Sequence, residues 1–476
     1  MKNLILLFLS IILYILSFPP FNLSFLIFFT LIPLFILLPK LSSKESFIYG
    51  FLYGFGFYGV NFYWLPNLLK HFVPFVFGVF ISLLLVFYLS LYNGIFLWGV
   101  KKKFNSLLFP PFFWCFLEFM KSIGPLSFNW GTLGEPLVNI FPLLQWASVF
   151  GGLGLSFIVV LINNILFKFK SFSLKYKLYS IVFILSLFFI GNFMGMDLEK
   201  PLFNLKIGAV QGNYDSFSKV YLRDIEDQLK IHKDLTLSLP DNLYLIIWPE
   251  SVLFCALNNF PEYINELRNL AKRKGSFLII GALKNEKQNL FNSAYFFSPF
   301  EEEYKTYSKV QLVPFVEELP FSFLFPSFIK NLVGNYKRGE GFFPFKTPLI
   351  NIGILICFES LFSYTAREHI KRGADILVVI TNDGWFQGTP AVWQHRNLSL
   401  IRAVENRVPL VQVANTGITF FVDPYGRILK ESKEGERKVY YCDIPINKKI
   451  FSLYRIWGDL FFFLFFIIFL VYKIIL

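Results

Sequence analysis

Three short stretches of this 476-residue chain each put a chemically useful side chain at the end of an apolar run. Leu245-Ile246-Ile247-Trp248-Pro249-Glu250-Ser251 reaches a carboxylate just after a rigid proline. Tyr307-Ser308-Lys309-Val310-Gln311-Leu312-Val313-Pro314-Phe315-Val316-Glu317 sets a lysine before an apolar turn and a glutamate eight residues on. Ile354-Leu355-Ile356-Cys357-Phe358-Glu359 closes a third run with a thiol, and a carboxylate follows two residues later. A glutamate can take the proton from a thiol, and a lysine can neutralise the oxyanion formed when the thiolate attacks a carbonyl. Each element alone is weak. A strand-end cysteine is more often a small buried hydrophobe, a glutamate after Trp-Pro more often a surface turn residue, and a lone lysine in a polar loop is usually solvated. His369 and His395 follow Cys357, so a cysteine–histidine pair has to be weighed as well. His369 falls in a helical stretch with charged neighbours and reads as exposed; His395 stays open as a group supporting the site from behind.

The elements that must position these groups are legible between about 205 and 445. Apolar runs of four to eight residues at Lys206–Gln211, Tyr244–Trp248, Phe277–Gly281, Ala294–Phe297, Ile352–Phe358, Ile376–Thr381, Leu410–Ala414 and Ile418–Val422 predict buried strands. Helical connections are expected at Tyr221–Leu235, Phe260–Lys274, Ser363–Arg372 and Gln394–Asn406. Alternating strands and helices imply a layered α/β domain that displays polar residues at strand ends.

The rest of the chain has a different character. Overall 55% of residues are hydrophobic, 16% are charged and the mean hydropathy is +0.53, which excludes a purely soluble or disordered protein. A spanning helix needs about 20 apolar residues. Residues 3–39 carry no charge and are broken at Phe18-Pro19-Pro20-Phe21-Asn22, which suits two short helices joined by a tight turn. No small-x-small site follows residue 18, which disfavours a cleaved signal peptide there. Further apolar runs at 46–69, 72–100, 104–120, 141–167, 178–196 and 457–472 bring the expected transmembrane helices to eight, seven before residue 197 and one after 450. Segments 1–196 and 451–476 carry a net charge of +10 of the total +13, so the basic excess lies between hydrophobic stretches, where it orients a membrane protein and does not imply nucleic acid. With a cytoplasmic N-terminus, eleven lysines fall on the inner side against Lys70 and Lys121 outside, which puts the α/β domain on the extracytoplasmic face. Cys115, Cys255, Cys357 and Cys442 show no paired spacing, so neither a zinc site nor a disulfide framework is indicated. Glu118, near the end of the fifth helix, and Glu135, in the following connection, read as interfacial carboxylates in contact with water, with admission of a polar head group as the alternative.

Taken in order, Trp-Pro-Glu, Lys with Leu-Val-Pro-Phe, and a strand ending in Cys-Phe-Glu resemble the Glu-Lys-Cys triad of the nitrilase, or carbon-nitrogen hydrolase, superfamily. The stretches Thr381-Asn382-Asp383-Gly384-Trp385-Phe386, Trp393-Gln394-His395, Arg402–Arg407 and Ala414–Thr419 sharpen the likeness. With helices on both sides of the domain, the chain is similar end to end to the apolipoprotein N-acyltransferases, the membrane members of that superfamily. The resemblance implies a four-layer α-β-β-α domain over residues 205–445, between a seven-helix region at 1–196 and a last helix at 451–476. It implies a bacterial inner-membrane location, the catalytic domain on the periplasmic face and both termini cytoplasmic. By the same analogy Glu250 is the general base, Lys309 the oxyanion stabiliser and Cys357 the nucleophile. Glu317 and Glu359 match two further functional glutamates. Phe358 stands where many members have tyrosine, so a hydroxyl role there falls away, although its backbone N–H can still serve an oxyanion. Gly384, where alanine is common, is a smaller departure. The activity implied is ping-pong transfer of an acyl chain from a phospholipid to the α-amine of a diacylglyceryl-cysteine apolipoprotein, within membrane lipid and with no metal or other cofactor.

Overall fold

The computed structural model describes residues 2–71, 73–196, 200–216, 224–330, 334–447, 450–460, 462–464 and 467. The chain divides into two units: Met1–Met196 with Thr389–Asn397 and Ser452–Leu476, and Asp197–Gly388 with Leu398–Phe451.

The first unit is helical. Each uncharged run before residue 197 contains helix, chiefly Lys2–Ser17, Ser43–Asn61, Phe75–Lys102, Phe109–Ser122, Ala147–Lys168 and Leu174–Met194, with short turns of helix between 24 and 40. Among the described residues, three helical segments, Phe75–Lys102, Ala147–Ser171 and Leu174–Met194, are long and apolar enough to cross a membrane. Half of the expected last helix, 457–472, lies outside the described residues; a short helix, Leu453–Trp457, stands at its start. Small residues set the packing. A Cβ on Gly50 would come within 2.4 Å of the Asn93 carbonyl, so Ser43–Asn61 can lie against Phe75–Lys102 only with glycine there. The Tyr454 ring occupies the space beside Gly151, whose φ of 69° kinks Ala147–Lys168.

Two carboxylates in this unit differ from the sequence reading. Glu118 and Glu135 are buried in protein and do not face water. The reason is non-local: the chain after Phe109–Ser122 folds back, so that Leu133 N–H donates to Glu118 Oε1 at 2.8 Å and the Trp130 carbonyl accepts from Lys121 Nζ at 3.4 Å. Lys121, expected in an outer connection, is likewise buried.

The second unit is α/β. Its strands are β1 (Phe203–Gln211), β2 (Leu245–Ile247), β3 (Leu253–Ala256), β4 (Phe277–Glu286), β5 (Asn289–Phe297) and β6 (Tyr304–Ser308). They continue with β7 (Phe345–Lys346), β8 (Asn351–Ile356), β9 (Ile376–Thr381), β10 (Leu410–Ala414), β11 (Phe420–Val422), β12 (Ile428–Glu431) and β13 (Lys438–Ile446). One sheet has the order β13-β1-β2-β4-β5-β6, with β3 beside β4; the other runs β12-β11-β10-β9-β8-β7. The pairs β1–β2, β2–β4, β8–β9 and β9–β10 are parallel.

Parallel strands covered on both faces read as unbroken apolar runs, and all of these were expected from the sequence, as were the antiparallel β5 and β11. Along β4, Phe277 and Ile279 point into the core shared by the two sheets, while Leu278, Ile280 and Ala282 pack beneath helices Ile225–Ser238 and Pro261–Lys274. Ile352, Ile354 and Ile356 of β8 fill the same inter-sheet core from the other side, and helix Ser363–Lys371 covers β8. The result is helix, sheet, sheet, helix. His369 of that last helix is a correction to the sequence reading. Its ring is fully buried against Tyr307 and Phe342, because the helix turns it away from Arg367, Glu368 and Lys371. Burial lowers its pKa to about 3, so it is neutral.

Candidate active site

The three expected groups sit at the ends of β2, β6 and β8. After β2, Trp248 anchors the outer core and Pro249 turns the chain, leaving Glu250 buried beside β4. This turn lies so close to β4 that a Cβ on Gly281 would meet the Pro249 carbonyl at 2.4 Å and Glu250 Cα at 2.6 Å. Glu250 Oε1 accepts from Asn292 Nδ2 at 2.8 Å, and Oε2 accepts from the Asn382 backbone N–H at 3.0 Å.

Lys309 follows β6, and its N–H donates to the Asn292 carbonyl at 2.8 Å. Its ammonium is 1% exposed, 2.9 Å from Glu317 Oε2 and 3.6 Å from Glu250 Oε1. Burial works against the charged form, but Glu317 and then Glu250 outweigh it, so the Lys309 pKa is raised and the ammonium is permanent. The turn after Lys309 brings Glu317 back. Its Oε2 accepts from Val313 N–H at 2.8 Å, and its Oε1 takes both Lys309 Nζ and Asn292 Nδ2 at 3.0 Å. Glu250 and Glu317 are thus bridged by the Lys309 ammonium.

Cys357 ends β8 with φ at 51°, a left-handed conformation that costs a non-glycine residue about 1–2 kcal/mol. Such a turn ends the strand and leaves Cys357 partly buried at the edge of the inter-sheet core. Cys357 is partly exposed and bonds to the Thr381 side chain. Burial and Glu250 push the thiol up, Lys309 pulls it down, and the net shift is well above the usual value. The resting group is a protonated thiol.

Glu359 is fully buried and does not offer a free carboxylate. Tyr307 Oη, Val310 N–H, Gln311 N–H and Ile356 N–H all donate to it, at 2.7–3.2 Å. It ties the backbone just after Lys309 to the end of the strand carrying Cys357. Phe358 is buried with its ring edge-on to Phe362. His395 belongs to the segment grouped with the helical unit, where its ring lies 5.9 Å from Trp130.

Three further residues were not singled out from the sequence. Asn292 links Glu250 to Glu317, and Asn382 holds Glu250 through its backbone, with its own Oδ1 accepting from Ser216 Oγ and Asn415 Nδ2. Tyr307 anchors Glu359. The one signal for Asn292 was a polar Asn-Ser pair interrupting an apolar strand.

Two stacked sheets between helices, with an acid, an ammonium and a thiol at adjoining strand ends, make a carbon-nitrogen hydrolase domain, and the profile of the family described as Carbon-nitrogen hydrolase matches residues 206–448. A second profile, Apolipoprotein N-acyltransferase N-terminal domain, matches residues 10–165. The chain is 30% identical to Apolipoprotein N-acyltransferase of Geobacter metallireducens over 95% of this chain and 91% of that one, and 31% identical to that of Thermotoga maritima over 97% and 92%. It belongs to the apolipoprotein N-acyltransferase family. Among solved structures, a CN-hydrolase superfamily protein from Xanthomonas campestris aligns at TM-score 0.41 and 18% identity, covering 51% of this chain and 90% of that one.

Proposed function

We propose that this protein transfers an acyl chain from a phospholipid to the α-amine of a diacylglyceryl-cysteine apolipoprotein, completing lipoprotein maturation through a thioester on Cys357. The observation that carries this reading is the buried Glu250–Lys309–Glu317 group at strand ends of the same domain as the strained Cys357 turn, in a chain aligned nearly end to end with named N-acyltransferases.

In the first half-reaction Cys357 Sγ attacks the ester carbonyl and Glu250 takes the thiol proton. Negative charge gathers on the former carbonyl oxygen, where the Lys309 ammonium and the Phe358 N–H stabilise it. The intermediate collapses by expelling the lysophospholipid oxygen, which takes the proton back from Glu250. In the second half-reaction the neutral α-amine attacks the thioester, Glu250 accepts an amine proton, and collapse of the new intermediate returns that proton to the departing thiolate. No external oxidant, metal or nucleotide enters this balance. Amine must outcompete water, which calls for a site closed to bulk solvent.

Membrane placement is part of the same proposal. Residues 1–196 form seven crossings and 451–476 an eighth, with the catalytic domain, 205–445, on the periplasmic face of the inner membrane and both termini in the cytoplasm. The lysine asymmetry supports this, as do exposed apolar side chains such as Val76, Leu174 and Phe189 on helices of the first unit. The test is incubation of the purified protein with acyl-labelled phospholipid, then addition of a diacylglyceryl-cysteine peptide. A thioester on Cys357 that is discharged by the peptide is expected; label on another residue, or discharge only by water, would overturn the reading.

A further inference from the structure

Asn292 is a neutral side chain, 4% exposed, between two acids. Its single Nδ2 donates to Glu250 Oε1 at 2.8 Å and to Glu317 Oε1 at 3.0 Å, and its backbone carbonyl accepts the Lys309 N–H at 2.8 Å. Its Oδ1 has no hydrogen-bond partner among the described residues although it is buried. A buried acceptor left without a partner is unfavourable and rare in folded proteins. Flipping the amide would be worse, since Oδ1 would then face two carboxylate oxygens. The orientation is therefore fixed by the acids, and the side chain is held in an otherwise poor setting by what its Nδ2 does.

An amide N–H can donate only to an oxygen with a free lone pair. With both of its donors committed to the two glutamates, Asn292 favours the state in which both are ionised and opposes a proton on either Oε1. Ionised Glu250 is the form needed to take the Cys357 proton. We infer that Asn292 is a positioning residue that holds Glu250 and Glu317 ionised and aligned on opposite sides of the Lys309 ammonium. This rests on the acyltransferase reading above. Within this unit the other titratable groups around the cluster include Tyr336, which interacts electrostatically with all three charged members, Cys357 at the end of β8, Asp383 beside Cys357, and Glu359 behind the Lys309 turn.

The experiment measures the rate of thioester formation on Cys357 from labelled phospholipid between pH 5 and 9, in wild type, Asn292→Ala and Asn292→Asp, with thermal unfolding of each as a control. Asn292→Ala is expected to slow acylation tenfold or more at neutral pH and to move the acid limb of the profile to higher pH, since the lost donors no longer oppose protonation. Asn292→Asp keeps the shape, and it can donate only when protonated. It should be nearly inactive at pH 8 and recover partly toward pH 6, a trend opposite to the wild type. If both variants are folded and their profiles superimpose on the wild-type profile after scaling, Asn292 is merely structural and the inference fails. Unchanged rates would overturn it equally. Failure of the wild type itself to form a thioester would instead sink the acyltransferase reading, so the two can be told apart.

Discussion

Burial and the nearby Glu250 carboxylate both push the Cys357 thiol up, with Lys309 working the other way, so at neutral pH the sulfur keeps its proton until a base removes it. That puts the demand on Glu250 and on the charge of Lys309. Cys357→Ala is expected to form no acyl intermediate. Glu250→Gln and Lys309→Ala should form it at least about a hundredfold more slowly, since oxyanion stabilisation of this kind is worth about 10² to 10³ in rate. Cys115, Cys255 and Cys442 should each tolerate alanine with activity retained. Glu317 has both oxygens committed, to Lys309, Asn292 and Val313 N–H, which suits orienting the ammonium better than relaying a proton. Glu317→Ala should then slow thioester formation and transfer to the amine alike, because each passes through an oxyanion. Single-turnover kinetics that left acylation at the wild-type rate while abolishing transfer would assign it a proton-transfer role instead. Glu359 differs from these. Burial raises its pKa from the usual 4.5 to about 7, against the pull of three backbone N–H donors. A raised folded-state pKa means that its contribution to stability is fully present below about pH 4.5 and lost as pH rises through about 7. At about 1.4 kcal/mol per pKa unit the wild type stands to lose on the order of 3 kcal/mol across that window, and Glu359→Gln, which cannot ionise, should lose correspondingly less. Thermal unfolding in detergent from pH 4.5 to 8 measures this; parallel curves for the two proteins would contradict it.

At the scale of the element, a glycine decides where Glu250 stands. Gly281 on β4 faces the Pro249-Glu250 turn so closely that any Cβ must displace backbone. Gly281→Ala is expected to cut thioester formation tenfold or more while the domain stays folded, since a shift of about an ångström at a reacting group is enough to do so. Gly59→Ala, with nothing within 4 Å of the added carbon, should be silent in the same assay. The same reasoning explains what the sequence could and could not reveal. Strands buried on both faces, such as β2, β8, β9 and β10, announced themselves as apolar runs, and their ends carried Glu250 and Cys357. β3, β6, β7, β12 and β13 were missed: Tyr304–Ser308 carries Lys305, Thr306 and Ser308, Ile428–Glu431 is largely exposed, and Lys438–Ile446 is only partly buried. Lys309 was found from its own motif instead. Asn292 stayed hidden, and Asn382 and Tyr307 stood in quoted stretches without a role, since no local pattern encodes a partner 42 or 132 residues distant. His369 was misread for a related reason: charged neighbours on a short helix do not say which face turns inward. Glu118 was misread because the chain that covers it returns from downstream, and Glu135 because its own segment packs on helix Ala147–Lys168, where Ser156 Oγ accepts from Gly134 N–H.

For the whole molecule, the topology turns on parity. An odd number of crossings before the catalytic domain and one after it leave both termini on the side opposite the domain; an even number before it would put the N-terminus on the domain's own side. The lysine asymmetry supports the first case, which is the topology proposed above. Lys101 Nζ donates to the Leu38 carbonyl at 2.9 Å and Lys168 Nζ to the Phe104 carbonyl at 3.0 Å, so lysines ending two different helices cap carbonyls in connections that the charge bias assigns to the same, inner side. Lys121, one of the two lysines on the outer side of that count, is buried within its unit. A reporter active only outside the cytoplasm should therefore work when fused near Lys284, within the catalytic domain, and fail when fused after Lys102 or after Leu476. The Lys102 fusion tests the four crossings read before it, and the Leu476 fusion tests the last helix, half of which lies beyond the described residues. Activity at Leu476 together with Lys284 would remove the eighth crossing and leave seven. Activity at Lys102 but not at Lys284 would invert the whole assignment, placing the Cys357 site in the cytoplasm, on the opposite face from the periplasmic lipoproteins it is proposed to acylate.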